Sequence, residues 1–311
     1  MIRCGECKRG SVVFLPYRNV NLCKRHFLEL FERRVKKTIR EFHLLKKGEH
    51  VALGLSGGKD STVLLHMLKR ISKVLPIRLT AVTVDEGIKG YRRKTITDAQ
   101  RECKKLGVKH VVVSFKDAFG FSLDEVVKKV GKSKSCSYCG VLRRYLINRE
   151  CRRMGADKLA IAHNLDDMAQ TVLMNIMRNE PMRLARFGAK SGITDNPYFI
   201  PRIKPLIRIP EKECAAYALL MGMDICYERC PYAPSAFRER VRRQLNEMEE
   251  EYPGTKSRVL NSLLSMQKAL SKEAEGKKAR ILRCTKCGEP SSTHVCMCCK
   301  MLGELAAQAQ A

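Results

Sequence analysis

The sequence contains no tryptophan, and its aromatic share is only 6%. Stacking of bases on exposed rings is therefore a poor candidate for its main binding interaction. No apolar run approaches the roughly 18–20 residues that a bilayer span requires, so no membrane segment is expected. The N-terminus, from Met1 to Gly10, lacks the apolar stretch of a secretory signal. Acid is also scarce: 32 Asp and Glu stand against 60 Lys and Arg, a formal charge of +28. An excess that large repels itself unless a polyanion screens it, and it points to nucleic acid held through its phosphates.

Cysteine, by contrast, is plentiful, with 15 residues. A cytoplasmic location is expected, and in that reducing compartment metal ligation or reaction chemistry outranks disulfides. The two ends of the chain carry the spacings Cys4-x2-Cys7-x15-Cys23-x2-His26 and Cys284-x2-Cys287-x8-Cys296-x2-Cys299. Paired knuckles of this kind put four soft ligands around Zn²⁺, so each end is expected to be a small zinc module. Cys298 is surplus, and spacing assigns Cys299 as the ligand. A further pair, Cys136-x2-Cys139, precedes Arg143 and Arg144 and has no second knuckle beside it. It could be a third zinc site helped by Cys226, a redox dithiol, or part of an iron–sulfur site. Thiolates ligate such clusters, and the two arginines are expected to favour deprotonation. Cys103, Cys151 and Cys214 fall in helical stretches and read as buried small side chains.

Between the end modules, short apolar strands alternate with helical stretches. A basic amphipathic helix is expected over 24–45, strands at "HVALGLS", "LTAVTVD", "HVVVSF" and "KLAIAHN", and a helix from Asp60 to Ser72. This alternation predicts an α/β fold with a doubly wound parallel sheet whose ligands bind at the strand C-termini. "PYFIPRIKPLIRIP" (197–210) is expected as an edge strand closing the core. From Glu211 to Ser271 the chain reads as helical, broken by "YERCPYAPSAF". "SKEAEGKKAR" (271–280) reads as a charged linker, and the tail after Glu304 is expected to fray. The expected divisions are 1–45 (zinc module and helix), 46–210 (catalytic domain), 211–276 (helical extension contributing Cys230) and 277–311 (second zinc module).

"LGLSGGKDSTVLL" follows the first core strand and opens a helix. Gly57 and Gly58 allow close approach of a phosphate to the backbone, the helix-start amides supply donors, and Lys59 adds a point charge. A Walker A loop would need Gly at 53 and Ser or Thr at 60, where this chain has Leu53 and Asp60. "SGGKDS" (Ser56–Ser61) resembles the PP-loop of the ATP pyrophosphatases. With "VDEGIKGYR", "CSYCGVLRR", "HNLDDMAQTVLMNIMR", "RLAR", "CPYAPSAFR" and both zinc modules, the chain is similar to the tRNA 2-thiouridine synthetases of archaea and the eukaryotic cytosol. It looks especially like their wobble-uridine branch; a sister branch acts on the T-loop ribothymidine.

The resemblance implies that Gly54, Leu55, Ser56, Gly57, Gly58, Lys59, Asp60 and Ser61 hold ATP, with Val84 framing the adenine and Arg143 and Ala162 beside the nucleotide. Asp167 is expected to orient Mg²⁺ or the reacting phosphate, with Asp166 the alternative. It further implies that Cys136, Cys139 and Cys230 hold a [4Fe-4S] cluster, with an iron-free persulfide route as the alternative. The expected cofactors are ATP, Mg²⁺, the cluster and two Zn²⁺. The expected partners are tRNA and a sulfur donor, either a ubiquitin-like thiocarboxylate carrier or sulfide, and a homodimer is expected. RNA contact is expected on Lys24, Arg25, Arg33, Arg34, Lys36 and Lys37, on "RERVRR" (238–243), and on the zinc modules. Two other classes compete: a non-catalytic RNA-binding zinc protein, and an amide-forming synthetase, which would leave the cysteines at 136, 139 and 230 unexplained.

Overall fold

The computed structural model describes residues 2–191, 199–228, 230–232, 237–275 and 281–307. Strands β1 (Val13–Leu15) and β2 (Val20–Leu22) form an antiparallel ribbon around a 3-10 turn and lead into α1 (Lys24–Glu41). The α/β body follows as β3 (His50–Gly54), α2 (Lys59–Ser72), β4 (Arg78–Asp85), α3 (Arg92–Leu106), β5 (Lys109–Ser114), α4 (Phe115–Phe119), α5 (Leu123–Val130), α6 (Lys132–Arg153), β6 (Lys158–Ala160), α7 (Leu165–Met177), α8 (Pro181–Ala185), β7 (Lys190–Ser191) and β8 (Arg202–Ile203). Helices α9 (Glu211–Leu220), α10 (Phe237–Glu251) and α11 (Thr255–Glu275) come next, then β9 (Leu282–Arg283), β10 (Pro290–Ser291) and α12 (Met297–Ala307).

The main sheet has the order β5-β4-β3-β6-β8-β7, parallel except for β7. Strand succession runs outward from β3 through β4 to β5, then restarts at β6 on the other side of β3. A crevice opens at such a reversal, beyond the strand C-termini, and here the segment after Gly54 enters it. The doubly wound parallel sheet is thus as expected.

Several boundaries differ from the sequence reading. Helix α1 stops at Glu41 because His43 takes a left-handed backbone (φ 49°), which turns Leu44 and Leu45 into the core. The segment expected as an edge strand lies inside: β8 sits between β6 and β7, and Leu206, Ile207 and Ile209 beyond it are fully buried. Residues 197 and 198 of that segment are outside the described residues. The expected linker begins as helix, since α11 runs to Glu275, and α12 continues through Ala307; residues 276–280 and 308–311 are outside the described residues.

One apolar core runs from Cys4 and Leu15 through Phe27, Phe31, Leu64 and Tyr217 to Leu260, so the first cysteine module and α9 share it with the sheet. A second core joins α5 and α6 to the last module through Tyr138, Leu142, Leu146, Cys284 and Leu305. The Tyr138 hydroxyl donates to Glu304 at 2.5 Å, and Arg152 pairs with Glu289. No helix among the described residues is long and apolar enough to cross a membrane.

Candidate active site

Beyond β3 the backbone is pinned at Leu55, whose N–H donates to the Val82 carbonyl at 2.9 Å. Gly57 has φ +82°, and a Cβ there would lie 2.0 Å from the Thr95 carbonyl oxygen. The turn therefore needs glycine on both conformational and steric grounds. Gly58 caps α2 with no side-chain capping bond, which leaves the first amides of the helix open to an anion. Ser61 braces the turn from within: its hydroxyl donates to the Gly58 carbonyl at 3.0 Å and accepts from the Ser56 N–H at 3.2 Å. These open amides and the glycine cradle fit a phosphate chain.

Behind the loop lies a network of charge. Lys59 Nζ contacts Asp60 Oδ2 at 2.9 Å and Glu211 Oε1 at 2.7 Å, and the Asn164 amide donates to Asp60 Oδ1 at 3.2 Å. The structure separates the two adjacent acids of α7. Asp166 is buried, pairs with the buried Lys256, and accepts the Glu211 N–H at 2.7 Å. Asp167 forms a capping box with Asn164 and is only 3.9 Å from Arg238, its side chain open to the crevice. Desolvation raises the pKa of Asp60 and of Asp167 above that of a free carboxylate.

Val84 is buried at the end of β4, with its carbonyl held by Arg92. The same guanidinium donates to the Ser56 carbonyl at 2.9 Å, so Arg92 ties β4 to the loop. Glu86, 4% exposed, pairs with Arg92 at 2.6 Å and with Arg143 at 3.5 Å, joining the loop to α6. Glu86 and Arg92 lie inside "VDEGIKGYR", but sequence alone gave no reason to single them out. Ala162 follows β6 at the crevice, next to His163. Desolvation, then Lys204, Arg238, Arg143 and Arg202, push the imidazole of His163 down to about 4.

The third cysteine pair lies on α6 beside Cys230. The Cys136 thiol donates to the Tyr232 carbonyl at 3.3 Å, and Cys139 feels the charges of both Cys230 and Cys136. Burial drives the Cys139 thiol up to about 12 and outweighs the opposing pull of Arg143. Arg143 therefore acts in the expected direction on Cys139, and burial is the larger effect. Among the described residues these sulfurs do not close into a zinc-sized group, and Cys226 does not complete one. Three neighbouring thiols not gathered on a single-ion site suit a polynuclear cluster, in which each thiolate binds its own iron.

The end modules are compact by comparison. Their candidate ligand atoms, from Cys4, Cys7, Cys23 and His26 and from Cys284, Cys287, Cys296 and Cys299, lie within 4.8 Å of one another in each group. Cys4 Sγ is 3.3 Å from His26 Nδ1, and Cys287 Sγ is 3.7 Å from Cys296 Sγ. Against the effect of desolvation, backbone donors bring Cys4 and Cys284 down to about 6, as a thiolate site requires. Cys298 stands apart as a buried thiol, as do Cys103, Cys151 and Cys214.

The expected RNA surface needs revision. Arg34 turns inward to Glu213 at 2.6 Å and Tyr17 at 2.7 Å, so it pins α1 to α9 and offers RNA nothing. Arg238 and Arg242 turn to the crevice, Arg242 reaching Glu211 at 3.1 Å. Glu211 itself was missed, since an acid following Pro210 has no motif around it.

Residues 27–249 match a family model described as a PP-loop domain. The chain is 36% identical to the tRNA 2-thiolation protein NcsA of Haloferax volcanii, over 98% of this chain and 100% of that one. It is 35% identical to the tRNA-5-methyluridine(54) 2-sulfurtransferase of Pyrococcus horikoshii, over 97% and 94%. In structure it resembles the U34-tRNA thiolase NcsA from Methanococcus maripaludis with its [4Fe-4S] cluster, at TM-score 0.81 and 35% identity, covering 98% of this chain and 96% of that one. The PP-loop, the thiol site and these full-length matches agree: the chain belongs to the PP-loop family of tRNA 2-thiolation proteins and sulfurtransferases.

Proposed function

We propose that the protein is a tRNA-uridine 2-sulfurtransferase that spends ATP to replace the C2 oxygen of the wobble uridine by sulfur. The observation that carries this reading is Glu86. Its carboxylate holds Arg92, which braces the PP-loop, and Arg143, one helical turn from Cys139. One carboxylate thus links the nucleotide loop to the helix that carries Cys136 and Cys139, which supports two successive steps on one carbonyl.

Gly54, Leu55, Ser56, Gly57, Gly58, Lys59, Asp60 and Ser61 hold the ATP phosphates, Val84 and Ala162 flank the nucleoside, and Arg143 faces it. The uridine oxygen attacks the α-phosphorus, and pyrophosphate leaves with its charge countered by Lys59; Asp167 would hold a Mg²⁺ ion that would add positive charge there. A sulfide equivalent then attacks C2, and AMP departs with the original oxygen. A [4Fe-4S] cluster on Cys136, Cys139 and Cys230 would supply an iron free of protein ligand to carry that sulfur. The two end modules would each hold one Zn²⁺. A ubiquitin-like thiocarboxylate carrier or free sulfide supplies the sulfur, the protein acts as a homodimer, and the setting is the cytoplasm. The divisions 1–45, 46–210, 211–276 and 277–311 are our reading of the segments by role, the first three sharing one core.

The Pyrococcus relative, named for position 54, favours a second reading with the T-loop as target. An anaerobic thiolation assay on tRNA bearing a wobble uridine, followed by mapping of the product, tests both. Product at the wobble position that disappears in Cys136→Ala, Cys139→Ala and Cys230→Ala is expected. Product only in the T-loop moves the target. Full activity in iron-free protein overturns the cluster and leaves the persulfide route.

A further inference from the structure

Helix α10 was expected to face RNA through its run of arginines. Two of them point elsewhere. Arg238 and Arg242 are one turn apart, so they share a helix face, and that face is held against α7 by Val241 and Leu245, packed on Ala169. Each guanidinium reaches a carboxylate of the nucleotide crevice. Arg238 lies 3.9 Å from Asp167 and donates to Gln170 at 3.2 Å and Thr171 at 3.0 Å. Arg242 is 3.1 Å from Glu211 Oε2, whose other oxygen holds Lys59 at 2.7 Å.

We propose that Arg238 and Arg242 bind the pyrophosphate half of ATP, forming a wall of the phosphate site opposite the glycine turn. The inference rests on the reading that the PP-loop holds ATP. The character of the ion pairs supports it. The Lys256–Asp166 pair nearby is sealed, with 7% of each side chain exposed, and is a fixed part of the fold. The Arg238–Asp167 pair is 44% and 39% exposed, and Arg242–Glu211 is 27% and 26% exposed. Solvent-accessible pairs of this kind are weak and exchangeable. Before ATP enters, Lys59, Arg238 and Arg242 all face carboxylates. A phosphate chain brings more charge and suits bidentate guanidinium recognition better than one carboxylate does. The arginines would transfer to phosphate, freeing Asp167 and releasing Glu211 from one of its two cations. Arg240, half a turn away in the same basic run, is exposed and has no such geometry.

The test is equilibrium binding of Mg·ATP, of Mg·pyrophosphate and of tRNA to the full-length protein, each measured alone. Arg238→Gln and Arg242→Gln are each expected to weaken ATP and pyrophosphate by at least about tenfold, the scale of one lost charged hydrogen bond. tRNA affinity should hold, and Arg238→Lys and Arg242→Lys should recover part of the loss. Arg240→Gln is expected to leave ATP binding unchanged. Unchanged ATP and pyrophosphate affinity in the glutamine variants overturns the proposal, as does loss of tRNA binding alone. Equal loss with lysine and glutamine, together with a lowered thermal midpoint, assigns the pairs to stability and also overturns it. Failure of the unaltered protein to bind ATP would instead refute the reading of the PP-loop.

Discussion

Neighbouring carboxylates at the start of α7 should respond in opposite ways to the same change. Asp166→Asn leaves the Lys256 ammonium buried without its counter-charge, facing only neutral amide oxygens such as that of Asn246 at 2.6 Å. Breaking a buried pair from one side costs about 3–5 kcal/mol, because the surviving charge is neither solvated nor neutralised. At roughly 2–4 °C per kcal/mol for a large domain, the thermal midpoint should fall by about 6–20 °C. Asp167→Asn removes a charge open to the crevice and can still cap the helix, so its cost should stay below about 1 kcal/mol. That variant should fold and lose thiolation. Melting at fixed metal load, paired with a thiolation assay well below the midpoint, separates the two. The double variant Asp166→Asn/Lys256→Met should regain most of the lost stability, since an apolar side chain tolerates burial. An Asp166→Asn protein as stable as the parent, or an Asp167→Asn protein that unfolds like it, would refute this division of roles.

Other outcomes can be checked in parallel. Gly57→Ala forces an L-residue into φ +82° against the Thr95 carbonyl; the strain of about 1–2 kcal/mol and the displaced turn should abolish measurable ATP binding while the protein stays folded by circular dichroism. Metal analysis of anaerobically purified protein should return about two zinc per chain by ligand count, and a value near zero in active protein would sink the two-module assignment. Burial lowers Lys204 from 10.5 to about 8, so the unfolded chain takes up a proton across that window. Stability should therefore rise with pH from about 8 to 10.5, and Lys204→Met should flatten the rise in pH-dependent denaturant melts. Cys103→Ala alters a buried thiol remote from the loop and should leave thiolation intact; its loss would assign Cys103 a role in the chemistry.

Covalent spacing and local pattern made much of this molecule readable. Four ligands in two knuckles can close on one ion only within a short loop, so both end modules are visible in sequence. The strand, glycine turn and helix around Ser56 are equally local. What escaped depends on the direction of long side chains over large sequence separations. Arg34 looked like any other cation on a basic helix, yet it meets Glu213, 179 residues away. Asp166 and Asp167 are identical in local context, and only the arrival of Lys256 from α11 tells them apart. Glu86 and Glu211 act by joining distant segments, which no window of sequence displays. The inward position of β8 depended on β7, two residues too short to announce themselves as a strand.

Because one core runs from Cys4 to Leu260, the stretch that matches the PP-loop model, residues 27–249, is not a piece that can be excised. Cutting before residue 27 strips Leu15 and Leu22 from Phe27 and Phe31, and removes the Tyr17 hydroxyl from Glu213. Cutting after 249 removes Lys256 and strands a carboxylate in the interior. What is inherited as a recognisable segment and what folds as a body are therefore different lengths of chain. A fragment designed for crystallography, for fusion or for a minimal catalyst would have to follow the latter. The flanking modules, easily taken for appendages, are built into the body: the first shares the core that carries the sheet, and the last packs on α6.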